Sequence, residues 1–413
     1  IAAIRSQSTM GQRGTLMTEK AKRKGNPRHR LLVRVLLLIT VIVAVIATGI
    51  YLLQPEGDQI VFIAADDAGI SQLWLVDLNH PENPRQLTRY EDEYIIADSM
   101  RTGANQTIVY QIWRSGFPTT TSLWQLNTQS GESRLLKECV DDRACKNVII
   151  RSDAEWIAYE EYSRPGSIDG FYHLSIVVEN VTTGERRIIY EAGIWRGDNF
   201  PRSVLAWIEE TGSLAYLAFP DSEADNQEIQ LRYYDVEEDS TVEQTDWYEI
   251  STGTYFSPDG TRFVIESNRM AHAANVIFSY EIPPADNSSR FPIGIAYESG
   301  RPQAMYFLGW YQDNETILID NRWTSYQDEE NPVMYNELSI YNTATGDMEA
   351  LRRNSEGLQY IEADLNEDET RIIVRKYNPD THEYQMVVYD IETDEEIILS
   401  VYGLYPQWVN GGR

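Results

Sequence analysis

Reactive side chains are scarce in this sequence, which holds two cysteines and five histidines in 413 residues. His29, His80, His173, His272 and His382 stand too far apart to supply a metal-ligand pair, and H-E-x-x-H is absent. G-x-S-x-G is absent as well, so there is no nucleophile elbow. Cys139 and Cys145 enclose only Val-Asp-Asp-Arg-Ala and have no histidine beside them. That argues against a zinc site and, in an oxidising compartment, for a local disulfide. No catalytic residue, metal or cofactor is expected, and the protein is read as no enzyme.

Positive charge is short too: 35 Lys and Arg stand against 64 Asp and Glu, for a net charge of −29. Residues 1–34 carry nine Lys/Arg and a single Glu, or +8, which leaves −37 for the rest. A surface so acidic repels phosphates, which excludes nucleic acid as a partner. It reads as a solvated surface that resists aggregation.

One long apolar run occurs, Val35 to Leu53, with 19 residues and no charge. At about 1.5 Å per residue it spans a hydrocarbon core of about 30 Å. Lys20, Lys22, Arg23, Lys24, Arg28, Arg30 and Arg34 crowd its N-terminal side, and Glu56 and Asp58 follow it. The positive-inside rule then places the N-terminus in the cytoplasm. A cleaved signal peptide, with small residues at Ala47-Thr48-Gly49, is the alternative. The run is longer than the usual apolar region of about 7–15 residues, which favours an uncleaved anchor. The expected organisation is a basic, largely disordered cytoplasmic tail at 1–34 and a transmembrane helix at 35–53. A linker at 54–59 then leads to an extracytoplasmic domain at 60–413, periplasmic or at the cell surface. The lipid bilayer is a partner through residues 35–53.

The domain repeats itself. Thr254 to Ser267 reads as strand, tight turn at Ser257-Pro258-Asp259-Gly260, and strand. Weaker copies run over Ile95–Tyr110, Val148–Tyr159, Ala206–Phe219, Phe307–Ile319 and Ile361–Arg375. Third strands follow, as at Gln72–Asp77, Glu337–Tyr341 and Tyr384–Asp390, then fourth strands at Arg85–Thr88, Arg186–Tyr190 and Glu396–Leu399. Second strands begin near Ile60, Thr107, Trp156, Leu214, Arg262, Thr316 and Arg371. Units of this length with four strands predict an all-β fold, a seven-bladed β-propeller preceded by the one transmembrane α-helix. Six or eight blades are the alternatives. The first unit starts at its second strand, and Leu404–Val409 reads as its missing innermost strand. That strand would close the ring and remove two exposed edges; no catalytic domain is expected beyond it. The start of a calcium-like pattern at Asp364–Asp368 coincides with a repeat turn and reads as that turn.

Phe256-Ser-Pro-Asp-Gly260 followed by an apolar strand resembles the signature of TolB-type propellers, which carry WD40-like repeats. Gln72–Asp77 followed by Arg85–Thr88 is similar to the later part of the same repeat. The resemblance covers about residues 57–410 and implies a scaffold used by binding proteins, sensors and enzyme accessory domains alike. An anchor followed by a propeller also resembles the N-terminal half of dipeptidyl-peptidase-type hydrolases, whose nucleophile motif is missing here.

The long segments of the repeat join second to third strands or lie between units, on one face. They carry Trp113, Arg114 and Phe117; Tyr162, Arg164, Phe171 and Tyr172; Trp195, Arg196 and Phe200; and Arg322, Trp323, Tyr326 and Tyr335. Aromatic residues and arginine are favoured interface anchors. These residues form the candidate binding face, with the Cys139–Cys145 loop on the same side. The expected function is a membrane-anchored interaction scaffold or accessory subunit whose propeller docks a protein partner in or at the membrane. An envelope sensor, or the remnant of a propeller enzyme, is the alternative.

Overall fold

The second strands are apolar at nearly every position, which is the pattern of a strand buried on both faces rather than one. The computed structural model shows how. It describes residues 58–409 except 104, 115–119, 141–142, 164–170, 192–194, 197–204, 209, 219–229, 245–252, 268–275, 282–290, 293–302, 326–332, 355–357, 379 and 401. The chain divides into Ile1–Glu56 and Gly57–Arg413, and every described residue belongs to the second unit. The predicted membrane segment 35–53 lies outside the described residues, among which no helix is long and apolar enough to cross a membrane.

The described strands form seven antiparallel sheets. The first holds β1 (Gln59–Ala65), β2 (Ser71–Asp77) and β3 (Arg85–Gln86). The second holds β4 (Glu93–Gly103), β5 (Thr107–Arg114), β6 (Thr120–Asn127) and β7 (Ser133–Cys139). In the third, β8 (Arg143–Ile150), β9 (Trp156–Ser163), β10 (Phe171–Asn180) and β11 (Arg186–Glu191) are joined by the short β12 (Trp195–Arg196). The fourth comprises β13 (Leu205–Ile208), β14 (Ser213–Ala218), β15 (Gln230–Asp235) and β16 (Ser240–Gln244). The fifth comprises β17 (Gly253–Phe256), β18 (Arg262–Ser267), β19 (Val276–Glu281) and β20 (Phe291–Pro292). The sixth is β21 (Gln303–Trp310), β22 (Thr316–Ser325), β23 (Val333–Asn342) and β24 (Met348–Asn354). The seventh is β25 (Gln359–Leu365), β26 (Arg371–Asn378), β27 (Glu383–Asp390) and β28 (Glu396–Ile398). Finally β29 (Leu404–Trp408) pairs with β1, with Ile60 opposite Trp408, and so completes the first sheet.

Successive residues of each second strand point to opposite neighbours. Ile108, Tyr110 and Ile112 of β5 pack with the first sheet, while Val109 packs with the third. Trp156 and Ala158 of β9 face the fourth sheet, and Ile157 and Tyr159 face the second. The same alternation links the fourth sheet to the fifth, the fifth to the sixth and the sixth to the seventh. The cycle returns when Ile373, Met386 and Val388 of the seventh sheet meet Ile60, Phe62 and Trp408 of the first. Each such side chain gains about 1.5–3 kcal/mol on full burial.

Turns set the register. Five of the third strands end in Asn127, Asn180, Asp235, Asn342 and Asp390, whose side-chain oxygens accept from the backbone N–H groups that follow. Four residues on, the chain turns through positive φ, at Gly131, Gly184, Asp239, Gly346 and Asp394. Glycine and aspartate tolerate that conformation better than most residues. Asn180, a glycosylation sequon by sequence, is buried in such a turn. In the Ser257–Gly260 turn, Gly260 has φ +67°, and a Cβ there would press into Ile208 of the fourth sheet.

Polar contacts fasten neighbouring sheets. Arg85, Arg187 and Arg352, each on a fourth strand or its start, reach the next sheet's third-to-fourth turn, at Thr128 O (2.6 Å), Val236 O (2.6 Å) and Asp394 Oδ1 (2.8 Å). Arg371 of the seventh sheet bonds Asp58 beside the first at 2.6 Å. On the closing strand, Trp408 donates its backbone N–H to Asp364 Oδ2 at 2.9 Å and its indole N–H to Asp364 O at 3.0 Å. Just before that strand, a Cβ at Gly403 would meet the Phe62 ring and stand 2.9 Å from Met386 Sδ. Gly403→Ala is therefore expected to cost about 1–3 kcal/mol, as overpacking does. Chemical denaturation checks this, and an unchanged midpoint would mean that the seam between first and seventh sheets has slack.

Candidate functional site

The second strands leave their sheets at one end, and the third strands enter there. Trp113 and Arg114 close β5, directly opposite Tyr94 and Glu93 of β4. The Trp113 and Tyr94 rings lie 5.9 Å apart, and Tyr94 is 43% exposed. Arg114 is ion-paired to Glu93, which is nearly buried, while half of the arginine side chain remains in solvent. This arrangement offers an aromatic surface beside a held guanidinium.

In the third sheet, β12 pairs with the start of β10, so that Phe171 lies opposite Arg196 and Tyr172 opposite Trp195. Two aromatic segments separated in sequence thus form one ribbon at the loop-bearing end. Tyr162 lies on β9 across from Leu174 of β10; its hydroxyl donates to Glu160 Oε2 at 2.5 Å, and Lys146 Nζ sits 5.1 Å from its ring centroid. Beside it, Cys139 and Cys145 are bonded to each other and join the second sheet to the third, with their Cα atoms 5.9 Å apart. Glu161 lies within 4.8 Å of both sulfurs, and its oxygens are engaged by Arg143 at 3.1 Å and Arg186 at 2.8 Å. With each sulfur bound to the other, this buried trio holds no free thiolate for a metal.

Arg322 is held inside the protein. Its Nε donates to Asp320 Oδ2 at 2.5 Å, Nη1 to Gln359 Oε1 at 3.2 Å and Nη2 to Tyr360 O at 3.3 Å, and it stacks on Tyr306 at 4.1 Å. It joins sixth sheet to seventh. Asp320 beneath it is fully buried, and desolvation pushes its carboxyl up to about 7 against the opposing pull of Arg322. Trp323 and Tyr335 are register partners across β22 and β23. Phe117, Arg164, Phe200 and Tyr326 lie outside the described residues.

A cleft of 760 Å³ opens at the same end of the seventh sheet, lined among others by Lys376, His382, Tyr384, Leu399 and Tyr402. The long segments that mark the candidate binding face in sequence do not include it, because the β26–β27 turn that builds it is short. The available signal is tyrosine on both sides of that turn, at Tyr377 and Tyr384.

No family model matches the chain, and no curated protein does. Solved structures do. The β-propeller domain of the trilobed protease from Pyrococcus furiosus aligns over 84% of this chain and 96% of its own, at 12% identity and a TM-score of 0.52. The fold is a β-propeller. The acylaminoacyl peptidase of Pyrococcus horikoshii aligns over 83% of this chain and 50% of its own, at 12% identity and a TM-score of 0.53. This chain thus spans half the length of that protein. TolB from Acinetobacter baumannii aligns over 86% of this chain and 80% of its own, at 14% identity, with a TM-score of 0.40 that adds nothing to the assignment. The P. furiosus domain is described as having an open velcro topology; in this propeller β29 pairs with β1.

Proposed function

We propose that this chain is a membrane-anchored propeller of seven blades that docks a protein partner through the loop-bearing ends of its sheets, without catalysing a reaction. Residues 35–53 anchor it, the basic residues 1–34 face the cytoplasm, and the propeller stands outside. Seven sheets, linked in a cycle by their apolar contacts, support the blade number. The repeat at Phe256–Gly260 supports kinship with TolB-type propellers.

The observation that carries the docking reading is the pairing of β10 with β12, which brings Phe171, Tyr172, Trp195 and Arg196 into one ribbon. Aromatic and arginine anchors grouped in this way are the usual centres of binding energy. Arg322 drops out of the docking set because its guanidinium is engaged within the fold. The test is a chain carrying Trp113→Ala, Arg114→Gln and Arg196→Glu, extracted from membranes in mild detergent beside the wild type; the glutamine amide can still donate to Glu93. Proteins recovered in stoichiometric amount with the wild type are expected to fall about tenfold or more, with the melting temperature held. Equal recovery would remove the docking reading.

A further inference from the structure

We propose that the cleft on the seventh sheet is a saccharide-binding site. None of its lining residues belongs to the protein-docking set, and it does not depend on that set.

The site is built by a short turn. Asn378 closes β26, and its Oδ1 accepts from the backbone N–H groups of Asp380 and Thr381 at 2.9 and 3.3 Å. The chain then passes through His382 at φ 57°, which folds the imidazole back over Tyr377. Tyr377 Oη and His382 Nδ1 are 2.8 Å apart. Tyr377 lies opposite Tyr384 in the strand register, with ring centroids 4.6 Å apart, and Tyr384 lies 5.5 Å from Tyr402. Four rings therefore run in series to the mouth of the cleft, where Tyr402 is 50% exposed. Around them stand Asn378, Glu383, Gln385 and Ser400.

This is the surface a sugar ring requires. A pyranose has a flat face of C–H groups and a rim of hydroxyls that both donate and accept. A half-exposed tyrosine ring meets the first, and planar amide and carboxylate groups meet pairs of the second. The volume, 760 Å³, falls within the range of about 300–1,000 Å³ that small-ligand pockets occupy. Other ligands fit less well. An anion has little to bind, because Lys376 is already paired with Glu396 at 2.9 Å. A proline-rich segment presents mainly carbonyl acceptors, which a carboxylate such as Glu383 cannot satisfy. A wholly apolar ligand would strip water from the polar rim without replacing it.

Tyr384 is also held before a ligand arrives. The Arg375 guanidinium stacks on Tyr384 at 4.2 Å and is itself held by Glu362 at 2.7 Å. A platform ordered in advance loses less conformational freedom on binding.

The test uses the full chain in a zwitterionic detergent, since alkyl glycosides would compete. The probes are soluble chito-, cello- and malto-oligosaccharides and muramic-acid disaccharides, by titration calorimetry. The corresponding insoluble polymers, by co-sedimentation, tell a free sugar from a wall polymer as the source. One saccharide class is expected to bind. Tyr402→Ala and Gln385→Ala should each weaken it by about tenfold, while Tyr402→Phe stays within about threefold of wild type because the ring remains. Tyr402→Ala should keep its protein partners, and the Trp113/Arg114/Arg196 variant should keep the sugar. The proposal is overturned if no probe binds in either form, if binding ignores both alanine variants, or if a proline-rich peptide occupies the cleft in place of every sugar.

Discussion

Asp320→Asn is expected to flatten the pH dependence of stability between about pH 4 and 7. The wild-type carboxyl is buried in the contact between sixth and seventh sheets, facing Arg322, Tyr306 and Tyr360, and its pKa is raised to about 7. An unfolded aspartate ionises near 3.8. Between those values the folded protein holds a proton that the unfolded chain has released. Stability therefore falls as pH rises through this window and levels off above it. A tenfold difference in proton affinity between folded and unfolded chains is worth about 1.4 kcal/mol, so the whole effect is on the order of a few kcal/mol. Asp153, Asp259 and Asp313 act in the opposite sense. Hydrogen bonds and nearby arginines outweigh burial and lower their pKa values, so their stabilisation is lost as pH drops through the acid range. The difference between wild type and Asp320→Asn, from urea titrations at each pH, isolates the one group. Parallel curves from pH 4 to 8 would show that Asp320 is ionised throughout and adequately solvated.

Arg375→Ala should cost about 3–5 kcal/mol, the scale seen when one member of a buried ion pair is removed. Arg375 is 7% exposed and Glu362 only partly exposed. With the arginine gone, the carboxylate stays behind while its other oxygen still accepts the backbone N–H of Tyr405 at 2.7 Å. Tyr405 sits on the closing strand at φ 52°, a conformation that aromatic residues adopt at a cost. Losing the ion pair therefore loosens the ring at its seam as well as the floor beneath Tyr384. The double variant Arg375→Met with Glu362→Gln removes both charges and should recover part of the loss. If the single variant proves as stable as the double one, the uncompensated charge is not the cause.

Much of this fold could be read from the sequence because each second strand is buried on both sides. Runs such as Ile60–Ile63 and Arg371–Val374 allow few other interpretations, and the starts inferred for all the second strands fall within one residue of the observed ones. The closing strand was legible for the same reason: Leu404–Trp408 had no unit of its own to join. The third-to-fourth turns carry a marker that is better kept than the Pro-Asp-Gly turn. An Asn or Asp ends the strand, and a Gly or Asp follows four residues later. Its logic lies in backbone conformation, which hydrophobic periodicity does not display. The candidate face was harder. Arg322 and Arg114 look alike in sequence, each following aromatic or polar residues at the end of a second strand. Only the fold reveals that Arg322 meets Asp320 and the neighbouring sheet while Arg114 keeps half its side chain in water. The cleft at Tyr402 is not legible in sequence, because its parts come from a short turn and a link between sheets, which meet only in three dimensions.

The first sheet draws its strands from both ends of the described chain. During synthesis β1, β2 and β3 emerge early, but the partner of Ile60 and Val61 emerges after every other strand. Until then one flank of β1 is an open edge, and the apolar surface of Phe62 lacks both Trp408 and the seventh sheet. Such edges invite pairing with other chains. The first blade is thus the last to be completed, and a ribosome that stalls before Leu404 leaves an almost finished ring with its most adhesive surface uncovered.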